Sequence, residues 1–401
     1  MIAGSAQPAR TVALVCLAEA LSMTGFAAYP AFLPQLQAHW ALSGAEAGFV
    51  SGAFFLGYML AVPFLSSATD RIDARDVFAF SCLLAAGGTA GFALFAQGTV
   101  SGALWQSLAG AGLAGTYMPG LKALTDRMSG PRLPRYVAFY TSTFGIGTSA
   151  SLLAAGWLGA VLPWRGAFGL LAVGPLLAAP LLLAALAPQR PHAAHAASWL
   201  PRIGPVLAQH AIRRAVFGYA VHCWELFGLR SWLVAFVAFA YGSSGAVSPL
   251  LSATAAAALI NLLGIPASIL GNEAAGRVGR ARWIGAVMVV SGTLAWLAGL
   301  SAGWPWVLML AVLALHFVAV MADSAALTAG LVQVTPPEQR GAALAVYSLM
   351  GFGAGFVAPL AFGAVLDVAG GATSRLAWTL AFGALGVGGL VWAATNRQNG
   401  R

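Results

Sequence analysis

The chain has 401 residues, of which 60% are hydrophobic and only 8% are Asp, Glu, Lys or Arg, and its mean hydropathy is +0.82. Soluble domains carry about a quarter charged residues, so this composition excludes an ordinary soluble enzyme or binding module and marks an integral membrane protein. The formal net charge of +9 follows from the basic loops described below and calls for no nucleic-acid partner.

In chain order, apolar runs of about 20 residues, enough to cross the hydrocarbon core, predict helices over 11–33, 43–65, 77–97, 100–123, 134–158 and 164–187. A second set follows over 214–240, 246–270, 283–301, 305–330, 340–366 and 374–394. The first run has no small-residue cleavage pattern and flows into the next, so it is read as a retained helix and not a signal peptide. In this twelve-span topology Arg10, Arg71, Arg75, Arg127, Arg132, Arg135, Arg213, Arg214, Arg277, Arg280, Arg282 and Arg340 share one side. Little besides Arg165 and Arg375 falls on the other. Basic loops stay inside, which predicts cytoplasmic termini and a multi-pass protein of a plasma membrane, a bacterial inner membrane. The longest polar connection, APQRPHAAHAASWLPRIGP, divides the chain into an N-terminal bundle over 1–187, a cytoplasmic linker over 188–213 and a C-terminal bundle over 214–401. His192, His195 and Trp199 in it are read as surface and interfacial residues. Cys16, Cys82 and Cys223 sit in apolar runs without metal-ligand spacing, so no metal or cofactor is expected.

The informative residues are the ionisable ones inside predicted spans, because a charge at membrane depth costs several kcal/mol unless it faces protein, water or another charge. Glu19 in the first helix is a candidate proton site, with a structural hydrogen bond as the competing reading. In the fourth helix Lys122 either reaches a cavity or snorkels to the cytoplasm. Tyr140 in the fifth helix is a candidate substrate contact. The seventh helix, FGYAVHCWELFGLRSWLVAFVAFAY, carries His222, Glu225 and Arg230, all able to share one broad face at 100° per residue, with Trp224 beside them. Asn261 in the eighth helix is a possible neutral substrate contact. His316 and Asp323 in the tenth are seven residues apart and so lie on nearly one face.

Two polar connections occupy matching places in the two halves. SSATDRIDARD (66–76) carries Asp70, Arg71 and Arg75, and GNEAAGRVGRAR (271–282) carries Glu273, Arg277 and Arg280. Such pseudo-repetition fits two bundles around a central path, with these residues as gates at the helix ends.

Taken together, the pattern resembles the major facilitator superfamily of secondary transporters over almost the whole chain. That family's signature between the second and third helices is approximately Gly-x-Leu-Ala-Asp-Arg-x-Gly-Arg-Arg. Here Asp70 and Arg71 match, while Ser66 and Asp73 replace the glycines. In the second half Arg277, Gly279 and Arg280 match, and Gly276 replaces the Asp. The resemblance implies an all-α polytopic fold of twelve transmembrane helices in two pseudo-symmetric six-helix bundles. It also implies a cavity lined chiefly by helices 1, 4, 7 and 10, those that carry Glu19, Lys122, the His222–Glu225–Arg230 group and the His316–Asp323 pair. Gln106 stands where many drug exporters have an arginine, and the fifth helix lacks their Gly-Pro-x-x-Gly-Gly-like motif. The general pattern is closer to transporters of small anions, including the cyanate and nitrate-like branch.

The expected function is alternating-access secondary transport, not enzymatic, with proton-coupled uptake of a small or organic anion. Arg230, Lys122, Tyr140, Trp224 and Asn261 are the expected substrate contacts, and Glu225, Asp323, Glu19, His222 and His316 the proton-coupling set. The alternative is proton-driven efflux of a hydrophobic or cationic compound. Besides cargo and protons, the only expected partner is membrane lipid, around a functional monomer.

Overall fold

The computed structural model describes residues 7–189, 203–243, 250–336 and 339–397. His192, His195 and Trp199, with half of the predicted linker, lie outside the described residues. Among those described the chain is helical throughout, without a strand. In order these are α1 (Gln7–Ser22), α2 (Ala28–His39), α3 (Gly44–Ala68), α4 (Ala74–Phe95), α5 (Thr99–Thr125), α6 (Leu133–Val161), α7 (Trp164–Leu171) and α8 (Val173–Ala185). They continue with α9 (Ile203–Ala208), α10 (His210–Ser243), α11 (Ala253–Val278), α12 (Arg280–Leu300), α13 (Trp306–Met321), α14 (Ser324–Val334), α15 (Arg340–Val368) and α16 (Arg375–Arg397).

Ten helical segments among the described residues are long and apolar enough to cross a membrane, with α7–α8 and α13–α14 each counting as one crossing. The remaining two predicted crossings are present in altered form. The first is interrupted by turns at 23–27, between α1 and α2. The other is α5, which has the length, 27 residues, but is diluted by glycines, Gln106 and Lys122. Large apolar side chains such as Leu60, Phe80, Leu94, Trp157, Leu300 and Leu376 are exposed on the helices. Lipid contact is the natural use of such a surface, since backbone polar groups are satisfied inside each helix.

The chain forms two compact units, Met1–Phe32 with Leu56–Leu200, and Leu33–Phe55 with Pro201–Arg401. The division runs through α3, whose first half groups with the second unit.

In the first unit, α1, α4, α5, α6 and α8 bury a shared core that includes Val15, Phe78, Leu124, Tyr140 and Leu182. Small residues let α4 and α5 touch along their backbones: a Cβ on Gly112 would lie 2.4 Å from the amide nitrogen of Ala85. In the second unit, Ile212, Ile284, Leu327, Tyr347 and Trp392 join α10, α12, α14, α15 and α16. There the first half of α3 lies against α15 closely enough that a Cβ on Gly48 would meet the Pro359 carbonyl oxygen at 2.0 Å. The same contact ends in a cap. Asp367 accepts from the backbone N–H groups of Gly44 at 2.7 Å and Ala45 at 2.9 Å, placing a carboxylate on the positive end of α3.

Candidate functional site

The second unit brings four of the predicted proton-coupling residues together. His222 and Glu225 are one turn apart on α10, His316 is on α13, and Asp323 sits at the break between α13 and α14. All four are buried. The pairs cross between elements. His222 Nδ1 lies 2.7 Å from Asp323 Oδ1, an ion-pair separation off the line of a good hydrogen bond. His316 Nε2 lies 2.9 Å from Glu225 Oε1. Each histidine is therefore matched to an acid on the other element, the earlier residue of α10 to the later residue of α13–α14. That order is what two antiparallel segments give. A buried acid without such a partner would carry the full desolvation cost, so the pairing is what makes these charges tolerable.

Around the pairs, Ser291 on α12 donates to Glu225 Oε2 at 2.9 Å. The Tyr219 ring stacks on His222 at 5.9 Å between centroids, and on Tyr347 at 3.7 Å. Arg230, five residues beyond Glu225, donates from Nε to Asn261 Oδ1 at 2.9 Å, and its guanidinium lies over the Phe317 ring. Asn261 in turn donates to Ala257 O, so the amide is oriented with its oxygen toward the arginine. Trp224 is on the same helix, but its indole donates to Ala384 O on α16. Arg230 and Asn261 are thus brought together, with Trp224 directed to a neighbouring helix.

The remaining predicted contacts belong to the first unit. Glu19 is fully buried on α1. Its Oε2 is 3.1 Å from the Tyr140 hydroxyl and 3.5 Å from Ser22 Oγ, and its Oε1 has no hydrogen-bond partner. Tyr140, also fully buried, is tied to Glu19. Lys122 pairs with Asp126 at 2.9 Å near the end of α5, both partly exposed, which is the snorkelling arrangement.

Of the predicted gate residues, Asp70 and Arg71 lie exposed in the turn before α4. The organising group there is Asp73, which caps α4 by accepting from Arg75 N. Its carboxylate also accepts two bonds from Arg127 Nη2, at 2.8 and 2.6 Å, and one from Gln189 N at 2.7 Å. Burial raises its pKa, but Arg127 and the two amides outweigh that, leaving it below the ordinary aspartate value. Arg75 Nη1 donates to Leu186 O at 2.7 Å, and Arg127 Nε to Ala187 O at 2.9 Å. In the second unit, Arg280 donates to Asn272, Gln333 and Ala326 O. Glu273 and Arg277 lie exposed on the same stretch.

Sequence reasoning passed over Ser291, Arg127 as a partner, Asp73 as a hub, and Asp367. An Asp immediately before a helix start is a cap signal that could have flagged Asp73. No local pattern marks Ser291.

The sequence profile of the Major Facilitator Superfamily matches residues 15–273. The chain belongs to this superfamily. It is a multi-pass membrane transporter and not an enzyme. No curated protein matches the chain. Among solved structures, a bacterial homolog of the human lysosomal transporter Spinster, inward-facing and occupied, aligns with TM-score 0.76 at 15% identity over 99% of this chain and 97% of that one. The same homolog, inward-facing and unoccupied, gives 0.75 at 16% identity over 98% and 97%. The POT family transporter PepTSo gives 0.72 at 15% identity over 97% and 98%. At these identities the likeness is one of fold: an all-α membrane protein with twelve transmembrane helices in two halves.

Proposed function

We propose that this superfamily member carries out proton-coupled uptake of a small or organic anion, of the kind handled by the small-anion branch, by alternating access. The observation that carries this reading is the crossed pairing in the second unit. Glu225 and Asp323 are each held by a histidine from the other element, and Arg230 is oriented by a neutral amide. Histidine–carboxylate pairs suit proton exchange, because one proton can sit on either the imidazole or the carboxylate and leave the pair without net charge. An arginine presented through Asn261 offers a planar fork of donors suited to a carboxylate or similar anion. In this reading Glu225 and Asp323 exchange protons with His222 and His316, and Arg230 with Asn261 contacts the cargo. Glu19 is a further proton carrier. Asp70, Arg71 and Arg75, with Glu273, Arg277 and Arg280, belong to gating at the cytoplasmic ends, and Asp73 is added to them. The basic-loop pattern supports both termini on the cytoplasmic side, and a monomer in a bacterial inner membrane completes the reading.

The test is counterflow in proteoliposomes against small inorganic anions, organic acids and lipophilic cations, followed by Arg230→Gln. Exchange of an anion that Arg230→Gln abolishes supports the reading. Selective exchange of a cation, or full anion exchange without Arg230, rejects it and leaves proton-driven export of a cationic compound as the account.

A further inference from the structure

The first unit holds a carboxylate whose hydrogen-bond surroundings dictate where a proton must be. The Tyr140 hydroxyl lies 3.1 Å from Glu19 Oε2, 2.9 Å from Tyr117 O and 3.2 Å from Thr116 O. All three would be acceptors if Glu19 were ionised, and a phenol has one hydrogen to give. The other hydroxyl nearby does not help, because Ser22 Oγ lies 2.8 Å from the Glu19 carbonyl oxygen against 3.5 Å from Oε2. An ionised Glu19 would thus depend on one shared donor, with Oε1 bare and the side chain fully buried. The ionisable groups facing it are Cys16 on its own helix, Tyr58 from α3, Cys82 from α4, Tyr117 from α5 and Tyr140 from α6. No cation is among them, and α8, packed on the same helix, has no ionisable side chain.

One arrangement gives both the carboxyl hydrogen and the phenol hydrogen an acceptor. A neutral Glu19 donates its own hydrogen to the Tyr140 oxygen, and Tyr140 donates its hydrogen to Tyr117 O. We propose that Glu19 is the loaded proton site of the first unit in this conformation, with Tyr140 as the residue that positions its proton. The geometry has been given room for this purpose at one point. Gly120 has no side chain where a Cβ would stand 2.2 Å from the Tyr140 hydroxyl oxygen and 3.0 Å from Phe78. The proton leaves as H⁺ from Glu19 Oε2 to water or to an incoming basic group, and the carboxylate that remains needs new donors. Release therefore requires the surroundings of α1 to change.

This deepens the proton-coupling part of the proposed function and is independent of the cargo. It is tested by infrared difference spectroscopy on the full chain in lipid at neutral pH. The expected result is a neutral-acid carbonyl band that disappears in Glu19→Gln. The band should shift in Tyr140→Phe, where the acid loses its acceptor, and in Gly120→Ala, where the hydroxyl is displaced. Glu19→Gln is close in shape and can donate an amide hydrogen to the same oxygen, so it should fold. Loss of an ionised-carboxylate band in Glu19→Gln, in place of the neutral-acid band, overturns the assignment. A band unmoved by Tyr140→Phe overturns the role of Tyr140. Failure of anion counterflow with the Glu19 band present would fault the cargo reading alone.

Discussion

Asp73 offers the sharpest test of the physical reasoning, because one carboxylate fastens three segments of the first unit. It caps α4, receives both bonds from Arg127 at the end of α5, and accepts the Gln189 amide after α8. Asp73→Ala removes all four bonds and leaves Arg127, whose side chain is only 10% exposed, without its carboxylate. Stranding one partner of a buried pair costs about 3–5 kcal/mol, and we take about 3 because this pair is at the edge of the protein. Local opening of 186–189 should then be easier by about 2 decades, at 1.36 kcal/mol per decade. Hydrogen exchange at the Gln189 amide, itself a donor to Asp73, should accelerate about a hundredfold. Asp73→Asn retains one acceptor oxygen and the cap, so roughly tenfold is expected.

The pH dependence has a defined sign. The folded pKa of Asp73 is depressed, so its contribution is complete above the unfolded value of about 3.9 and is lost as pH falls through the lower folded value. Protection at Gln189 should hold through neutral and mildly acid pH and collapse only below it. In Asp73→Ala that step should vanish. Exchange at Gln189 within threefold of the parent protein, or the same acid step in both proteins, would refute the argument.

In proteoliposomes, Glu225→Gln and Asp323→Asn should keep cargo counterflow but reduce accumulation driven by a pH gradient at least tenfold; undiminished gradient-driven uptake by both would remove them from coupling. Gly48→Val should prevent a monodisperse protein in size-exclusion chromatography, because its Cβ would stand 2.0 Å from the Pro359 oxygen and such overpacking costs about 3 kcal/mol or more. Asp367→Ala removes an exposed cap from α3 and should cost about 1 kcal/mol, read as faster amide exchange at Gly44 and Ala45 by roughly fivefold; unchanged exchange at both amides would deny the cap.

What the sequence made legible was set by what is local. Unbroken apolar runs predicted most crossings to within a few residues, because length and hydropathy alone decide whether a helix can span lipid; the eighth, expected over 246–270, is Ala253–Val278, shifted by seven to eight residues. The break at Asp323 was not foreseen, since no Pro or Gly marks it. His222, Glu225, His316 and Asp323 were singled out by the cost of charge at depth, but which histidine meets which acid depends on the relative register of α10 and α13–α14. No residue spacing within either element contains that information. The same limit hid the bond between Tyr140 and Glu19, which are 121 residues apart. At the turn before α4, resemblance to a family signature drew attention to Asp70 and Arg71. The residue that departs from the signature, Asp73, is the one that bonds Arg127 and the Gln189 amide.

The two units meet similar demands with opposite chemistry, and for the proposed coupling this has a consequence. Near the start of their third crossings, the first unit sets an acid against Arg127, whereas the second sets Arg280 against neutral acceptors. Only the first of these ties contains a group that titrates in acid. In the membrane interior the contrast concerns proton release. A histidine–carboxylate pair that holds one proton has no net charge, and its partners stabilise either placement of that proton. Releasing that proton leaves a buried carboxylate beside a neutral imidazole, and all four groups are closed from solvent, so exchange waits until water reaches the ring. Among the described residues Glu19 has a hydroxyl for a partner and no cation, so losing its proton creates an isolated buried charge at a cost of several kcal/mol. That loss must accompany a rearrangement that brings water or new donors to α1. In the proposed coupling a proton can therefore pass between imidazole and carboxylate on the second unit without creating net charge, whereas Glu19 has no second site among the described residues with which to share its proton. The proposed coupling thus treats the two kinds of buried acid separately: a pair that can shift its proton internally, and a single carboxyl that can only keep or release it.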